Sequence, residues 1–520
     1  MQIIDNKALL FRTRNPAKYH VIPKHQIVNQ FEDGTSEIAV YWGLDEARVL
    51  KNLGVKNVPS PITRRYNWPG KYKPMAHQVE TASFLTLNKK AFVFSEPGTG
   101  KTLSALWAAD YLMERGDVRR CLILCPLSIM QSAWLNDLNN SIIHRSAIIA
   151  HHYQAARRIE MVQQNYEFVI ANYDGLNLIA DEINNDGRFD LVIVDEANAY
   201  KTMSTKRWKA LKSILHAGTH LWMMTGTPAS QSPEDAYGLA RLVNPDGVPK
   251  FFTGWRDKVM NKITQFKWVP KASAASEVHA ALQPAIRFTK EQCLDLPPVI
   301  TMTRDVPLTP QQAKYYNLLK ERMMVQAAGE TITAINAAAG VSKLLQISCG
   351  AAYADGGEVI EFDSAPRLAV LEEILEETSR KVIIFALFRS TIDTIHTYLT
   401  KKNIATECIH GDIPPSKRAD TIRRFQNETD PRVLVMQPQA SAHGITLTAA
   451  DTVVFYGPLM SVEQYIQCIA RADRKGQNSD KVTVIHIQGS PIEKKRFKDL
   501  ENKVDDNTSL TNLFMAEIKS

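Results

Sequence analysis

The chain predicts an α/β fold: two doubly wound parallel-sheet lobes, a helical connector, and a small α+β region at the N-terminus. Three observations carry this. Short unbroken runs of Val, Ile, Leu and Phe alternate with amphipathic stretches, the pattern of strands buried on both faces and covered by helices. The runs form two sets, separated by the Pro-containing boundary "LDLPPV" at 294–299. A chain of 520 residues also exceeds one ordinary core.

Residues 1–66 read as the accessory module. "KYHVIPKHQIV" (18–28) and "SEIAVYWGL" (36–44) suit short strands, and "DEARVLKNLGV" (45–55) suits a helix closing at Gly54. "NVPSPITRRYNWPG" has the prolines of a linker. Lys18, Lys24, Arg64 and Arg65, with Tyr19, Tyr41 and Trp42, have the chemistry to grip phosphates and stack on an unpaired base. The plainer reading is that this module packs on the first lobe. Residues 67–290 form that lobe, with strands at 91–94, 121–125, 168–171 and 191–195. A connector over 291–360 carries a helical region from Pro310 to about Leu345. The second lobe, 361–520, has strands at 381–387, 433–436, 452–456 and 482–487 and a helical tail.

Composition narrows the class. Hydrophobic residues are 44% and charged residues 22%, as in soluble globular proteins. No run approaches the roughly 20 apolar residues of a membrane span. The start mixes charge into a short apolar stretch, unlike a signal peptide. A net charge of +7 tolerates a polyanionic partner without demanding one. The six cysteines include no CxxC pair, and Cys121 and Cys125 in "CLILC" read as core residues. A reducing cytoplasm is the expected setting.

The chemistry starts at "FSEPGTGKTLSALWAADYL" (94–112). A strand, a glycine-rich turn and a helix form the context in which a P-loop match acquires a mechanism. Across Ser95, Glu96, Pro97, Gly98, Thr99, Gly100, Lys101 and Thr102, backbone N–H groups would cradle phosphates at the helix N-terminus. Lys101 would neutralise the β- and γ-phosphates and Thr102 would ligate Mg²⁺. Ser95 stands where the usual pattern has its first glycine. "LVIVDEANAYK" (191–201) then ends a buried strand in two acids. Asp195 suits Mg²⁺, and Glu196 suits orienting and deprotonating the attacking water. Together they point to binding and hydrolysis of a nucleoside triphosphate. Trp107, Trp134, Trp208 and Trp222 lie in patterned elements and read as core.

These and seven further motifs carry a resemblance. "DEAN" resembles the DEAx box of superfamily 2 helicases, and "MMTGTPASQSPEDAYGLARLVNP" (223–245) their third motif with a Swi/Snf-type continuation. "ILCPLSIMQSAW" (123–134) and "VIANYDGL" (169–176) are similar to DNA-contacting motifs, and "KPMAHQVETASFL" (73–85) to the entry segment whose glutamine, here Gln78, reads adenine. "IHGDIPPSKRADTIRRFQ" (409–426), "HGITLTAADTVVFY" (443–456) and "QCIARADRKGQ" (467–477) match motifs IVa, V and VI in order. The chain thus resembles the Swi/Snf-like DNA translocases over residues 70 to 490.

The resemblance implies two RecA-like lobes, ATP with Mg²⁺, DNA as partner and a monomer. It also implies Arg471 and Arg474, three apart on a helix, as arginine fingers, with Gln467 one turn earlier and Gly444 beside the nucleotide. Ser128, Tyr173, Lys201, Thr225, Thr227, Thr446 and Thr448 become candidates for DNA contact or for coupling. Asn198 replaces the usual His after DEA, Thr446 an Asn, and Asp473 a His. "GITLTAA" resembles the annealing-helicase branch, and the compact layout resembles bacteriophage helicases, which implies the host cytoplasm and replication or recombination proteins as company. The alternatives are a strand-separating DNA or RNA helicase and a binding scaffold with a decayed ATPase. Intact Lys101, Asp195, Glu196, Arg471 and Arg474 weigh against decay.

Overall fold

In the computed structural model the chain divides into two compact units, Met1–Cys293 and Leu294–Ser520. The structure describes residues 1–226, 232–264, 268–293, 297–329, 334–353, 358–441, 445–474 and 476–502. Among the described residues, no helix is long and apolar enough to cross a membrane.

The first unit is built on a parallel seven-stranded sheet. In spatial order its strands are Ala285–Ile286, Lys90–Val93, His220–Met224, Phe189–Val194, Arg120–Leu124, Phe168–Ala171 and Ala147–Ile149. The four apolar runs expected as strands are all present. The strand His220–Met224 was not foreseen; "HLWMM" is rich in Met and Trp rather than β-branched residues. It inserts between the strand that leads to the glycine-rich turn and the strand that ends in the acid pair, which are therefore not neighbours. Layers of apolar side chains cover both sheet faces. Trp107, Trp134 and Trp222 lie in one and Trp208 and Trp255 in the other. The four tryptophans read as core are core, and Cys121 and Cys125 are buried beside Ile123.

The N-terminal module belongs to the same unit. It is an antiparallel sheet in the order Gln2–Ile4, Ala8–Thr13, Ser36–Tyr41, His25–Gln30, followed by the helix Leu44–Asn52. The chain turns at Gly54, whose φ of +81° a glycine adopts without strain. Two expectations fail here. Trp42 and Tyr19 are not platforms for a base: both are buried, and the Trp42 indole donates to the Pro59 carbonyl at 2.8 Å. Apolar rings next to a four-stranded sheet are needed to close its small core. The segment before Asn67 is also no free linker. Leu44, Ile62 and Tyr66 pack into the lobe's own core, and the Tyr66 hydroxyl donates to buried Asp110 at 2.5 Å. Arg64 and Arg65 are held by Asn6, and Arg65 also faces the rings of Tyr41 and Trp42.

The second unit has a parallel six-stranded sheet in the order Val299–Asp305, Val482–Gln488, Ala450–Phe455, Lys381–Phe385, Val433–Met436, Thr406–Ile409. Its edge strand, 299–305, lies in what the sequence marks as connector. The strand is mostly exposed, so it lacks the long apolar run that would have announced it. The helices Pro310–Gly329 and Ala334–Ser348 follow. A buried ion pair, Arg367 to Glu493 at 2.6 Å, ties the end of the second of these helices to the lobe, because Arg367 also donates to the Ser348 carbonyl. Both sheets are the doubly wound lobes that the sequence predicts.

Candidate functional site

The carboxyl ends of parallel strands are where open α/β sheets place their ligands. Three of them converge in the first unit. Register sets Met223 beside Phe92 on one side and Val194 on the other, so the turn after Phe94, Thr225 and Asp195 emerge at one level.

The glycine-rich turn is shaped by two left-handed glycines, Gly98 at φ +89° and Gly100 at φ +76°, and Gly100 caps the helix Lys101–Glu114. A Cβ at Gly100 would run into the Gln78 amide. That amide donates to the Gly100 carbonyl at 3.3 Å and accepts from the Met75 N–H at 2.9 Å. His77 meets the Thr99 carbonyl at 2.8 Å. The entry segment therefore braces the turn from below. From the other side, the Ser95 hydroxyl accepts from the Phe288 N–H at 3.1 Å, and Glu96 Oε2 accepts from the Lys290 N–H at 3.1 Å. A hydroxyl at 95 thus does structural work that a glycine cannot, which accounts for Ser95. Lys101 Nζ donates to the carbonyls of Ser95 at 2.7 Å and Glu96 at 3.2 Å. Pro97 packs against Gly226, where a Cβ would lie 2.9 Å from its ring. Thr102 is half-buried at the start of the same helix.

Asp195 is the most constrained group. Its Oδ2 accepts from the Trp134 indole at 3.0 Å and its Oδ1 from the Glu196 N–H at 3.0 Å, while its carbonyl accepts from the Tyr173 hydroxyl at 2.5 Å. Burial pushes its carboxyl above the usual carboxylate range, and Lys101, Trp134 and the Glu196 N–H pull the other way. Glu196 sits at φ +47°, ψ 59°, a left-handed conformation that costs a non-glycine residue about 1–3 kcal/mol and concentrates at functional sites. The turn that follows, Ala197–Tyr200, is overlain by the helix Ala236–Val243. Gly238 allows the approach, since a Cβ there would strike the Lys201 carbonyl.

Several DNA-contact candidates are otherwise engaged. Thr225 is fully buried, with its N–H on the Val93 carbonyl at 3.0 Å. The Tyr173 hydroxyl is committed to Asp195, and Lys201 pairs with Asp235 at 3.2 Å. Thr227 lies outside the described residues, as does the side chain of Ser128.

In the second unit the helix Val462–Ile469 ends before the arginines. Arg471 and Arg474 therefore lie on turns, not on a helical face: the Arg471 and Ala472 N–H groups bond three residues back, the Asp473 N–H four and the Arg474 N–H two, so regular helical bonding stops. They converge all the same: Nη1 of each donates to the Ile445 carbonyl, at 3.4 and 3.2 Å. Gln467 is buried and donates to Glu463 at 3.4 Å. Thr448 is buried and accepts from Gln426 at 2.8 Å, so it is a brace rather than a surface contact. Thr446 is exposed. Gly444 lies outside the described residues.

Sequence reasoning missed Trp134, Asp235, Gly238, Gln426 and Gln477 as parts of these sites. Gln477 holds the arginine turn to the Ala450 carbonyl at 2.8 Å. Their residue types carry no chemical signature; only their partners give them a role. As a set, the first unit offers phosphate-directed N–H groups, one lysine, a hydroxyl and a carboxylate suited to a hard divalent cation, and a second carboxylate beside it.

Comparison with known proteins agrees. The SNF2-related domain model matches residues 77–349, and the helicase conserved C-terminal domain model matches 366–476. Protein p41 of Acyrthosiphon pisum secondary endosymbiont phage 1 is 25% identical over 420 residues, covering 77% of this chain and 88% of the phage protein. The Caenorhabditis elegans homolog of SWI/SNF-related matrix-associated actin-dependent regulator of chromatin subfamily A-like protein 1 is 28% identical, covering 84% of this chain and 62% of that protein. The chain spans 51% of the mouse chromodomain-helicase-DNA-binding protein 1-like, at 24% identity over 85% of its own length. Among solved structures, the Sulfolobus solfataricus SWI2/SNF2 ATPase core in complex with dsDNA matches 87% of this chain and 96% of that one, at 21% identity and a TM-score of 0.42. The SNF2-related model alone covers more than half of the chain, a range that includes the glycine-rich turn and the acid pair: this protein belongs to the SNF2-related family of helicase-type ATPases.

Proposed function

We propose that this protein is an ATP-driven translocase on duplex or branched DNA that remodels replication or recombination intermediates. The observation that supports it is the convergence, at one sheet edge, of the left-handed glycine turn with Lys101, the Asp195–Glu196 pair and buried Thr225. The donor set fits Mg²⁺–ATP: Thr102 and Asp195 would hold the cation, and Gln78 stands beside Gly100 for the base. When bound, Mg²⁺ supplies positive charge to the phosphates. Lys101, Trp134 and the Glu196 N–H oppose the rise that burial imposes on the Asp195 carboxyl. Lys101 neutralises phosphate charge, and Glu196 orients the attacking water and takes its proton. In the second unit, Arg471 and Arg474 share a carbonyl, and on this reading they stabilise charge that develops in the transition state. Thr446 is the exposed residue of its motif available for a DNA strand. The nematode and mouse relatives bear names from chromatin biology; for this chain, DNA as partner, a monomeric state and a host-cytoplasmic setting belong to the proposal.

The test is ATPase rate with duplex, single-stranded and forked DNA and with RNA, over a salt series. Stimulation by duplex and forks, with affinity falling log-linearly with salt, is expected of a motor that grips phosphates. Best stimulation by RNA would move the protein to the RNA-helicase branch. Turnover indifferent to every nucleic acid would refute a motor.

A further inference from the structure

One segment of the first unit concentrates charge and exposed rings. Residues 250–271 hold six Lys or Arg and one Asp, so this short stretch supplies five of the chain's seven net positive charges. It also holds five aromatic residues: Phe251, Phe252, Trp255, Phe266 and Trp268. Its described residues form a helix and a hairpin anchored on the lobe. The helix Phe252–Val259 runs into an antiparallel hairpin that pairs Met260 with Pro270 and Lys262 with Trp268. Trp255, Val259 and Met260 anchor this element in the lobe's core.

Of the described rings outside that anchor, Phe251 and Phe252 are exposed and Trp268 is half-buried against the lobe's core. Phe251 is 69% exposed and Phe252 39%, adjacent in the chain, and Ile263, after the first hairpin strand, is 58% exposed. Among the described residues of the segment, each exposed or half-buried ring has a cation near it. Lys250 Nζ lies 5.7 Å from the Phe251 centroid, Lys262 Nζ 5.9 Å from Trp268, and the Arg256 guanidinium 4.9 Å from Phe252 and 5.3 Å from Trp268. Flat apolar faces interleaved with cations match a strand whose bases are unpaired: rings take the bases and cations take the phosphates, with no demand on sequence. Paired duplex offers no base face to Phe251.

The element is also wired to the ATP-site side of the lobe. Arg256 pairs with Glu234, and the Trp255 indole donates to the Pro233 carbonyl at 3.2 Å. The Tyr237 hydroxyl donates to the carbonyls of Pro249 at 3.1 Å and Lys250 at 2.8 Å. Residues 233–237 lie shortly after Gly226, which packs on Pro97 of the glycine-rich turn, and Asp235 pairs with Lys201 next to the acid pair.

We propose that residues 250–264 and 268–271 form the platform that reads a single-stranded DNA segment at a branch, with Phe251 as the stacking ring and Lys250 and Lys262 as phosphate contacts. This rests on the translocase reading above and deepens it. It moves branch recognition away from the N-terminal module, two of whose three candidate rings, Trp42 and Tyr19, are buried, leaving only Tyr41 exposed among them.

The test compares the full chain with Phe251→Ala, Phe251→Trp and the double variant Lys250→Glu/Lys262→Glu. The probes are a labelled linear duplex and the same duplex with an oligo-dT tail carrying 2-aminopurine next to the junction. Wild-type protein should prefer the tailed DNA and change the 2-aminopurine emission on binding. Phe251→Ala should lose about tenfold in affinity for tailed DNA, the scale of one lost base stack, and should lose the emission change; Phe251→Trp should keep both. The charge reversals should lower the salt slope on tailed DNA by about two. A tailed-to-linear ratio unchanged in Phe251→Ala overturns the platform while leaving the translocase intact. So does an equal loss on both probes, or capture of an acidic polypeptide in place of the tail. Absence of ATPase stimulation of the wild type by any DNA refutes the translocase reading itself.

Discussion

Trp134→Phe should cripple hydrolysis without touching a residue that contacts nucleotide. The indole N–H donates to Asp195 Oδ2 at 3.0 Å and is one of the groups holding that carboxyl down against burial. Phenylalanine keeps an aromatic ring in the core but removes the donor. A hydrogen bond to a charged group contributes about 1.5–3 kcal/mol, so kcat/KM should fall by about 10- to 100-fold. The sign of the pH effect follows. Without the indole the Asp195 carboxyl rises further, so less of it is ionised at a given pH and the acid limb of the kcat/KM profile moves to higher pH. Raising pH or Mg²⁺ should then recover part of the loss. Steady-state ATPase assays across pH and Mg²⁺, with a thermal melt to account for the smaller side chain, measure all of this. A wild-type pH profile and Mg²⁺ dependence in a folded Trp134→Phe protein would refute the positioning role.

The acid pair and the turn predict separable defects: Lys101→Ala should lose ATP binding, whereas Glu196→Gln should bind ATP and turn over about 10²-fold more slowly, as read by nucleotide-binding and turnover assays. Arg474→Ala should lower DNA-stimulated kcat by about 10³ with nucleotide affinity within a few-fold; an equal fall in both would argue for a ground-state role. Burial, with help from Arg48, pushes the His220 imidazole down to about 4, so the unfolded chain takes up this proton first and stability is lost as pH falls from 6.5 towards 4. Denaturant unfolding should show about 2 kcal/mol less stability at pH 5 than at pH 7 from this group, and His220→Gln should remove that slope. A chain starting at Asn67 should be destabilised by several kcal/mol in a thermal or denaturant melt, because Leu44, Ile62 and Tyr66 leave the lobe's core and buried Asp110 loses the Tyr66 hydroxyl; a truncation as stable as the full chain would refute that packing.

What the sequence determined by itself is what depends on local order. Unbroken apolar runs specify strands buried on both faces whatever packs on them, so "CLILC", "FVIA", "LVIVD" and "KVIIF" were legible. The glycine-rich turn and the acid pair were legible too, because a phosphate cradle needs glycines, a lysine and a hydroxyl within a few consecutive residues. Tertiary structure decided everything that depends on partners distant in the chain. "HLWMM" became a central strand because its neighbours supplied both ladders. Trp134 became a positioning group through Asp195, 61 residues away. Trp42 and Tyr19 became core instead of base platforms, and Tyr173 and Thr448 are engaged with Asp195 and Gln426. Arg471 and Arg474 left the helix yet met at one carbonyl. A side chain's type states which bonds it is able to make; only packing, which sets what lies within about 3 Å of it, decides which of them it does make.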